Sequence, residues 1–388
     1  MRDPHHTKLA AVLVEYSAAV RRGDLVTIVA EPEALPMVEA LFEAVLRAGG
    51  HPSFHPRSES LREVLLREGS TEQLQHVSPF ERHRLAHCDV LLVLNSPLNT
   101  RVLARSQPER LATLQAARAE LMTLSMQRAA RGDMRYVLVE LPTLASAQEA
   151  ERSLAEHEAW IYAAGKLDSA DPVGEWRRLH EQQERVCRRL RACRELRIES
   201  PAGTAAGRPF GRTELTIDVA GRSWVNSAGA ENFPDGEVFS GPVSVDGVFC
   251  PTFPAVYQGQ VVEGIRLVLE GGRVTDATAA INERFLLAMI DQDPGARVVG
   301  EVGIGTNYAI TEHIRNTFFD EKIGGTFHLA LGSGYPQTGS TNRSGLHWDI
   351  VSDLRSAQGT AHPGGTIHAD GELIQSSGRF LVPGWPGS

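Results

Sequence analysis

A chain of 388 residues with 42% hydrophobic and 22% charged residues is too long for one ordinary core and fits two domains of soluble globular composition. The net charge of −9 argues against a nucleic-acid partner, and the one basic run, Cys187-Arg-Arg-Leu-Arg-Ala-Cys-Arg194, reads as the solvated side of a helix. Nothing approaches about 18 consecutive apolar residues and the N-terminus MRDPHHTK lacks a signal-peptide layout, so no membrane partner is expected and a cytoplasmic location is.

In chain order, residues 9–20 read as a helix, a turn at Arg21-Arg-Gly-Asp24 follows, and the β-branched run 25–30 reads as a buried strand. Leu35, Val38, Leu41, Phe42, Val45 and Leu46 then recur at helical spacing until Gly49-Gly50 ends the helix. The alternation continues with a helix over 59–68, a strand over 89–95, a helix from Pro108 to about Met126, a strand over 136–140 and helices over 145–163 and 174–196. Strands separated by helices of this length predict an α/β N-terminal domain with a mainly parallel sheet over 1–200. Its first strand runs into Glu31-Pro-Glu-Ala34 with no glycine-rich phosphate motif, so no nucleotide site is expected there. The four cysteines, Cys88, Cys187, Cys193 and Cys250, are too sparse for a disulfide scaffold or a thiolate zinc cluster.

After the small-residue stretch Ser200-Pro-Ala-Gly-Thr-Ala-Ala-Gly207, which reads as a linker or an ordered loop, the helical periodicity largely stops. Short β-prone runs follow at 214–219, 248–250, 264–270, 297–299, 326–331, 346–351 and 365–368, with turn pairs such as Asp246-Gly247 and Gly271-Gly272 between them. One helix, over 279–289, interrupts, and the prediction is a β-rich α+β C-terminal metal-binding domain over 201–388.

The metal reading starts from alternation. In a strand over 326–331, His328 faces one side and Phe327, Leu329 and Leu331 the other; in the next, His347 and Asp349 share a side opposite Leu346, Trp348 and Ile350. Glu237 follows the turn Asn232-Phe-Pro-Asp-Gly236, and Glu301 stands among glycines in Gly300-Glu-Val-Gly-Ile-Gly305. Three carboxylates and two imidazoles without thiolate suit Zn, Co, Mn or Fe(II). On residues alone the alternatives stay open: His347 packed in a core on Asp349, and Glu237 and Glu301 as surface charges on turns.

The segments NFPDGEVFSGPV, GEVGIGTN, DEKIGGTFHLALGSGYP and NRSGLHWDIV, with an opening that contains VEYSAAVRRGDLVTI, occur in one order from about Lys8 to Phe380. In these the chain resembles the thermophilic aminopeptidase family, also called aminopeptidase T or peptidase family M29. The resemblance implies a metal-dependent aminopeptidase acting on a small peptide or peptide-like substrate, as a homodimer with an internal cavity. It implies two divalent metal ions held by Glu237, Glu301, His328, His347 and Asp349. The family's tyrosine falls on Tyr335, and its glutamate five residues before the first motif histidine falls on Ile323, the nearest acid being Glu321. Glu321 or Glu301 would then be the proton acceptor and Tyr335 the donor to the oxyanion, with Lys322 a lesser candidate for that task or for a substrate carboxylate. Two rivals accompany this reading: a mononuclear Fe(II) ring-cleaving dioxygenase of a diverged related branch, and a non-catalytic binding protein that retains the fold.

Overall fold

The computed structural model describes residues 3–103, 105–205, 207–356 and 364–388. Packing divides the chain at other points than the composition shift near residue 200: Met1–Trp176 with Gly229–Pro234 form one compact unit, Arg177–Ala228 with Asp235–Ser388 a second.

The first unit is built on β1 (Leu25–Ala30), β2 (His51–Pro56), β3 (Val90–Asn95) and β4 (Arg135–Glu140). They pair in parallel in the order β2-β1-β3-β4, and the two residues Asn232–Phe233 add a parallel edge beside β4. The helix Leu35–Arg47 buries Met37, Val38, Ala40, Leu41 and Val45; of the stripe its spacing predicts, Val38, Leu41 and Val45 face the core, Phe42 is half-buried, and Leu35 and Leu46 at the two ends are exposed. The N-terminal helix is regular only over Pro4–Val12 and continues as a π-helical turn over Leu13–Ser17. β2 has no counterpart among the predicted strands; it lies at the sheet edge, with His51, Ser53, His55 and Pro56 exposed, so it lacks the apolar signal of a buried strand.

The carboxyl ends of β2, β3 and β4 meet in a polar chain, with Arg57 Nη2 donating to Asn95 Oδ1 (3.3 Å) and Asn95 Nδ2 to Glu140 Oε1 (2.6 Å). Burial pushes the Glu140 carboxyl from 4.5 up to about 7. Because the folded-state value lies above the unfolded one, the stability Glu140 contributes is complete below 4.5 and is lost as pH rises through about 7. Glu140→Gln is therefore expected to match the wild type in urea near pH 5 and to exceed it near pH 8.5 by on the order of 2–3 kcal/mol. Equal midpoints at both values would show that this carboxyl titrates normally.

The second unit is built on two large antiparallel sheets, with two small two-stranded pairs beside them. In the larger, the strands run in the order Arg273–Thr278, Arg266–Glu270, Ser244–Phe249, Thr213–Asp218, Glu195–Ser200, Thr366–Ala369, Glu372–Ser376 and Arg379–Phe380. The smaller runs His347–Asp353, Thr326–Gly332, Val299–Gly305, Glu237–Ser240 and Val225–Ser227. Val302, Ile304, Phe327, Leu329, Leu331, Trp348 and Ile350 from one face of the smaller sheet share a buried cluster with Ile198, Leu215, Ile217, Val245, Phe249 and Leu267 from the larger. Burying that face turns the opposite one, with its polar residues, away from the core.

Two sequence expectations shift here and one open alternative is decided. The predicted helix over 174–196 is Pro172–Arg191, and its last residues become the strand Glu195–Ser200, where Leu196 and Ile198 alternate into the core. The stretch after Ser200 takes the ordered form, with Gly203–Ala205 paired to Arg208–Phe210. The strand expected at 297–299 is Val299–Gly305, which takes Glu301 into the strand. All four cysteines are buried and unbonded to one another.

Candidate metal centre

Directly opposed residues of an antiparallel pair point to the same side, so the register defines the site. Glu237 opposes Gly305, Gly303 opposes His328, Glu301 opposes Ala330, and Ala330 and Gly332 oppose Asp349 and His347. One face of four adjacent strands thus carries three carboxylates and two imidazoles, separated by glycine and alanine.

Each side chain is aimed by a local device. Glu237 begins its strand after Gly236, whose φ of +132° is open to glycine and where a Cβ would lie 2.5 Å from that of Asn307. Its carbonyl accepts from Gln183 Nε2 (2.7 Å), and Asn307 Nδ2 donates to the Asp235 carbonyl (2.7 Å), so the peptides around Glu237 are pinned. Glu301 owes its direction to a bulge: Val299 opposes Leu331 but Glu301 opposes Ala330, and the extra residue, Gly300, puts Val299 on the core face and Glu301 on the site face. His328, fully buried, lies over Gly303. His347 donates Nδ1–H to the Ser333 carbonyl (2.7 Å), which leaves the lone pair on Nε2 facing Asp349 Oδ2 at 3.6 Å.

The atoms converge. His328 Nε2 is 3.3 Å from Glu301 Oε1 and 3.4 Å from Glu237 Oε2, and one ligand atom from each of the three residues falls within 4.8 Å of the others. Glu237 Oε2, Glu301 Oε2, His328 Nδ1 and Asp349 Oδ1 are buried without a hydrogen-bond partner. Burial, and then Lys322 in opposition and Glu321 in support, sets the Glu237 carboxyl well above its usual range; burial and Asp349 do the same to Glu301. Burial disfavours the His347 imidazolium, but Asp349 and Glu301 outweigh it and raise that group. Buried acids that repel one another, orphaned oxygens and an imidazole nitrogen fit a divalent cation, which would relieve both penalties.

Glu321 and Lys322 follow the short helix Thr317–Asp320, and both face this cluster. Burial raises the Glu321 carboxyl, with Lys322 opposing and Asp349 adding to the shift. Ile323, at the position five residues before His328, is fully buried, and the acid nearest it in the chain that faces this cluster is Glu321, at the other side of Lys322. Lys322, whose sequence reading pointed toward substrate, is itself fully buried against Glu237 and Glu321. The Tyr335 ring lies 5.4 Å from those of Phe239 and His347; the residue is partly exposed, and burial together with the nearby Glu301 and Asp349 holds the phenol well above its usual range. Sequence reasoning did not single out Gly303, Gln183, Asn307 or the Ser333 carbonyl as parts of the site. Only Gly303 carried a usable signal, standing two residues after Glu301 on the same strand face.

The fold and this face define a metal-dependent hydrolase. The chain belongs to the thermophilic metalloprotease (M29) family, whose profile matches residues 2–380. It is 26% identical over 357 residues to aminopeptidase 2 of Geobacillus stearothermophilus, covering 85% of this chain and 83% of that protein. Aminopeptidase T of Thermus aquaticus is 31% identical over 193 residues, 46% of this chain and 45% of its own. The solved structure of wild-type AmpT from Thermus thermophilus superposes with a TM-score of 0.79 at 21% identity, over 97% of this chain and 99% of that one, which shows the shared fold.

Proposed function

We propose that the protein is a metal-dependent aminopeptidase that removes N-terminal residues from short peptides or a peptide-like metabolite, with Glu237, Glu301, His328, His347 and Asp349 holding two divalent ions, Zn, Co or Mn. The observation that carries this reading is the set of orphaned buried carboxylate oxygens of Glu237, Glu301 and Asp349 on one sheet face, with His328 Nε2 converging on the first two. The names of the relatives support the exopeptidase activity. Bound there, such ions would lower the pKa of a water and polarise the scissile carbonyl.

The chain's own groups supply the remainder. The Glu321 carboxylate accepts the proton of the attacking water and returns it to the leaving amine. Tyr335 keeps its proton across the working pH range and donates to the carbonyl oxygen as negative charge develops on it. Glu301, beside His328 and within the field of Asp349, is the alternative acceptor of that proton. A cytoplasmic homodimer completes the reading; no described helix is long and apolar enough to cross a membrane.

The presence of Glu237 and Glu301 in the same cluster as His328 favours hydrolysis over a single-iron dioxygenase, which needs two imidazoles and one carboxylate. Anaerobic purification with metal quantification, then a panel of N-terminally varied peptides, separates the readings. About two Zn, Co or Mn per chain with release of N-terminal residues is expected, with loss of activity on chelation and recovery on adding metal back. About one Fe per chain without peptide cleavage would overturn it.

A further inference from the structure

Lys322, packed against this face from the segment after the helix Thr317–Asp320, is left without a task by the chemistry above. Its side chain is fully buried, with Nζ 3.4 Å from Glu237 Oε1, bonded to Glu321 Oε1 and lying 5.1 Å from the centre of the Phe318 ring. The backbone holds it there: Asn307 N–H donates to the Lys322 carbonyl (3.0 Å), and Lys322 N–H donates to the Phe319 carbonyl (3.1 Å). Asn307 also anchors the Asp235 carbonyl, two residues before Glu237, so the ammonium and its carboxylate partner hang from one shared residue.

An ammonium this deep is tolerated only when paired, and this one is paired twice. The pairing makes the two oxygens of Glu237 unequal. Oε1 faces Lys322, whereas Oε2 has no hydrogen bond and lies 3.4 Å from His328 Nε2. Glu321 is buried within the field of Asp349 and His328, and its bond to Lys322 engages Oε1.

We propose that Lys322 is a positioning residue: its ammonium restricts Glu237 to one ligating oxygen, Oε2, and holds the Glu321 carboxylate beside the ligand set as a free base. The inference rests on Glu237, Glu301 and His328 being a metal centre. Without the ammonium, Glu237 can chelate through both oxygens and Glu321 can turn onto the ion, so binding tightens while the base is lost.

The test is Lys322→Met in the full chain, alone and with Glu321→Gln, read by metal content, Zn competition against a chromophoric chelator, and steady-state kinetics. Undiminished metal content, Zn affinity raised about tenfold, kcat lowered at least about 100-fold with KM within about threefold, and no further loss in the double variant are expected. A kcat near that of the wild type would overturn the proposal, as would a loss of metal, or a further loss in the double variant as large as Glu321→Gln alone produces. His328→Ala separates the two levels: if it binds metal as the wild type does, the metal centre itself is misassigned, whereas metal loss there with a normal kcat in Lys322→Met sinks this inference alone. Should Lys322→Met not fold, Lys322→Gln takes its place. Failure of both to fold, even with Glu321→Gln relieving the unpaired acid, would make Lys322 a structural residue and end the proposal.

Discussion

Glu321→Gln is expected to lower kcat by about 10²- to 10⁴-fold while metal content stays at the wild-type level, the range typical of losing a positioned general base. Metal content should hold because Glu321 is not one of the five proposed ligands and its Oε1 is engaged by Lys322. Glutamine keeps the shape and offers Lys322 a carbonyl oxygen, so the fold and the direction of Glu237 persist. What it removes is the site that receives a proton. The measurement is kcat and KM on a peptide substrate beside metal quantification of the same sample. A variant with full metal and kcat within about threefold of the wild type would take Glu321 out of the reaction and leave Glu301 as the base.

Gly303→Ala is expected to weaken metal binding at least about 100-fold without touching a ligand, at the upper end of what loss of an orienting neighbour produces. A Cβ at this position would lie 2.2 Å from both Cε1 and Nε2 of the His328 ring, a separation that real structures do not tolerate. The clash cannot be relieved cheaply. His328 is fully buried, Gly303 opposes it directly in the register, and the neighbours Val302 and Ile304 are locked in the core on the other face. The ring must therefore rotate, carrying Nε2 away from Glu237 and Glu301, and the forced overpacking destabilises the unit by about 1–3 kcal/mol. Zn titration with a thermal melt on each sample checks both effects. Wild-type affinity would mean that His328 binds in a rotamer other than the one found, and that the arrangement of the three ligands is wrong.

Much of this centre was legible because it sits on strands with a period of two. Phe327, Leu329 and Leu331 are core residues and His328 is on the site face, as the alternation required, and Trp348 and Ile350 oppose Asp349 in the same way. β1 is recovered at its predicted bounds because a β-branched run buried in a parallel sheet leaves an unbroken apolar signal. β2 was not legible, since an exposed edge needs no apolar pattern. The helix over 174–196 was read too long because the charged positions before Leu196 fit a helix surface as well as the outer side of a strand.

Local sequence therefore determined which residues face one another's side of a strand, and hence which imidazoles and acids could share a surface. It did not determine their meeting. The order of the five strands that places Glu237 two strands away from His328, the bulge at Gly300 that turns Glu301 to the site, and the burial of Lys322 against Glu237 and Glu321 are set by packing between distant segments. A side chain's face follows from its own neighbours in the chain. The distance between two ligands, and the charge that holds a third group off them, depend on contacts that only the folded sheet creates.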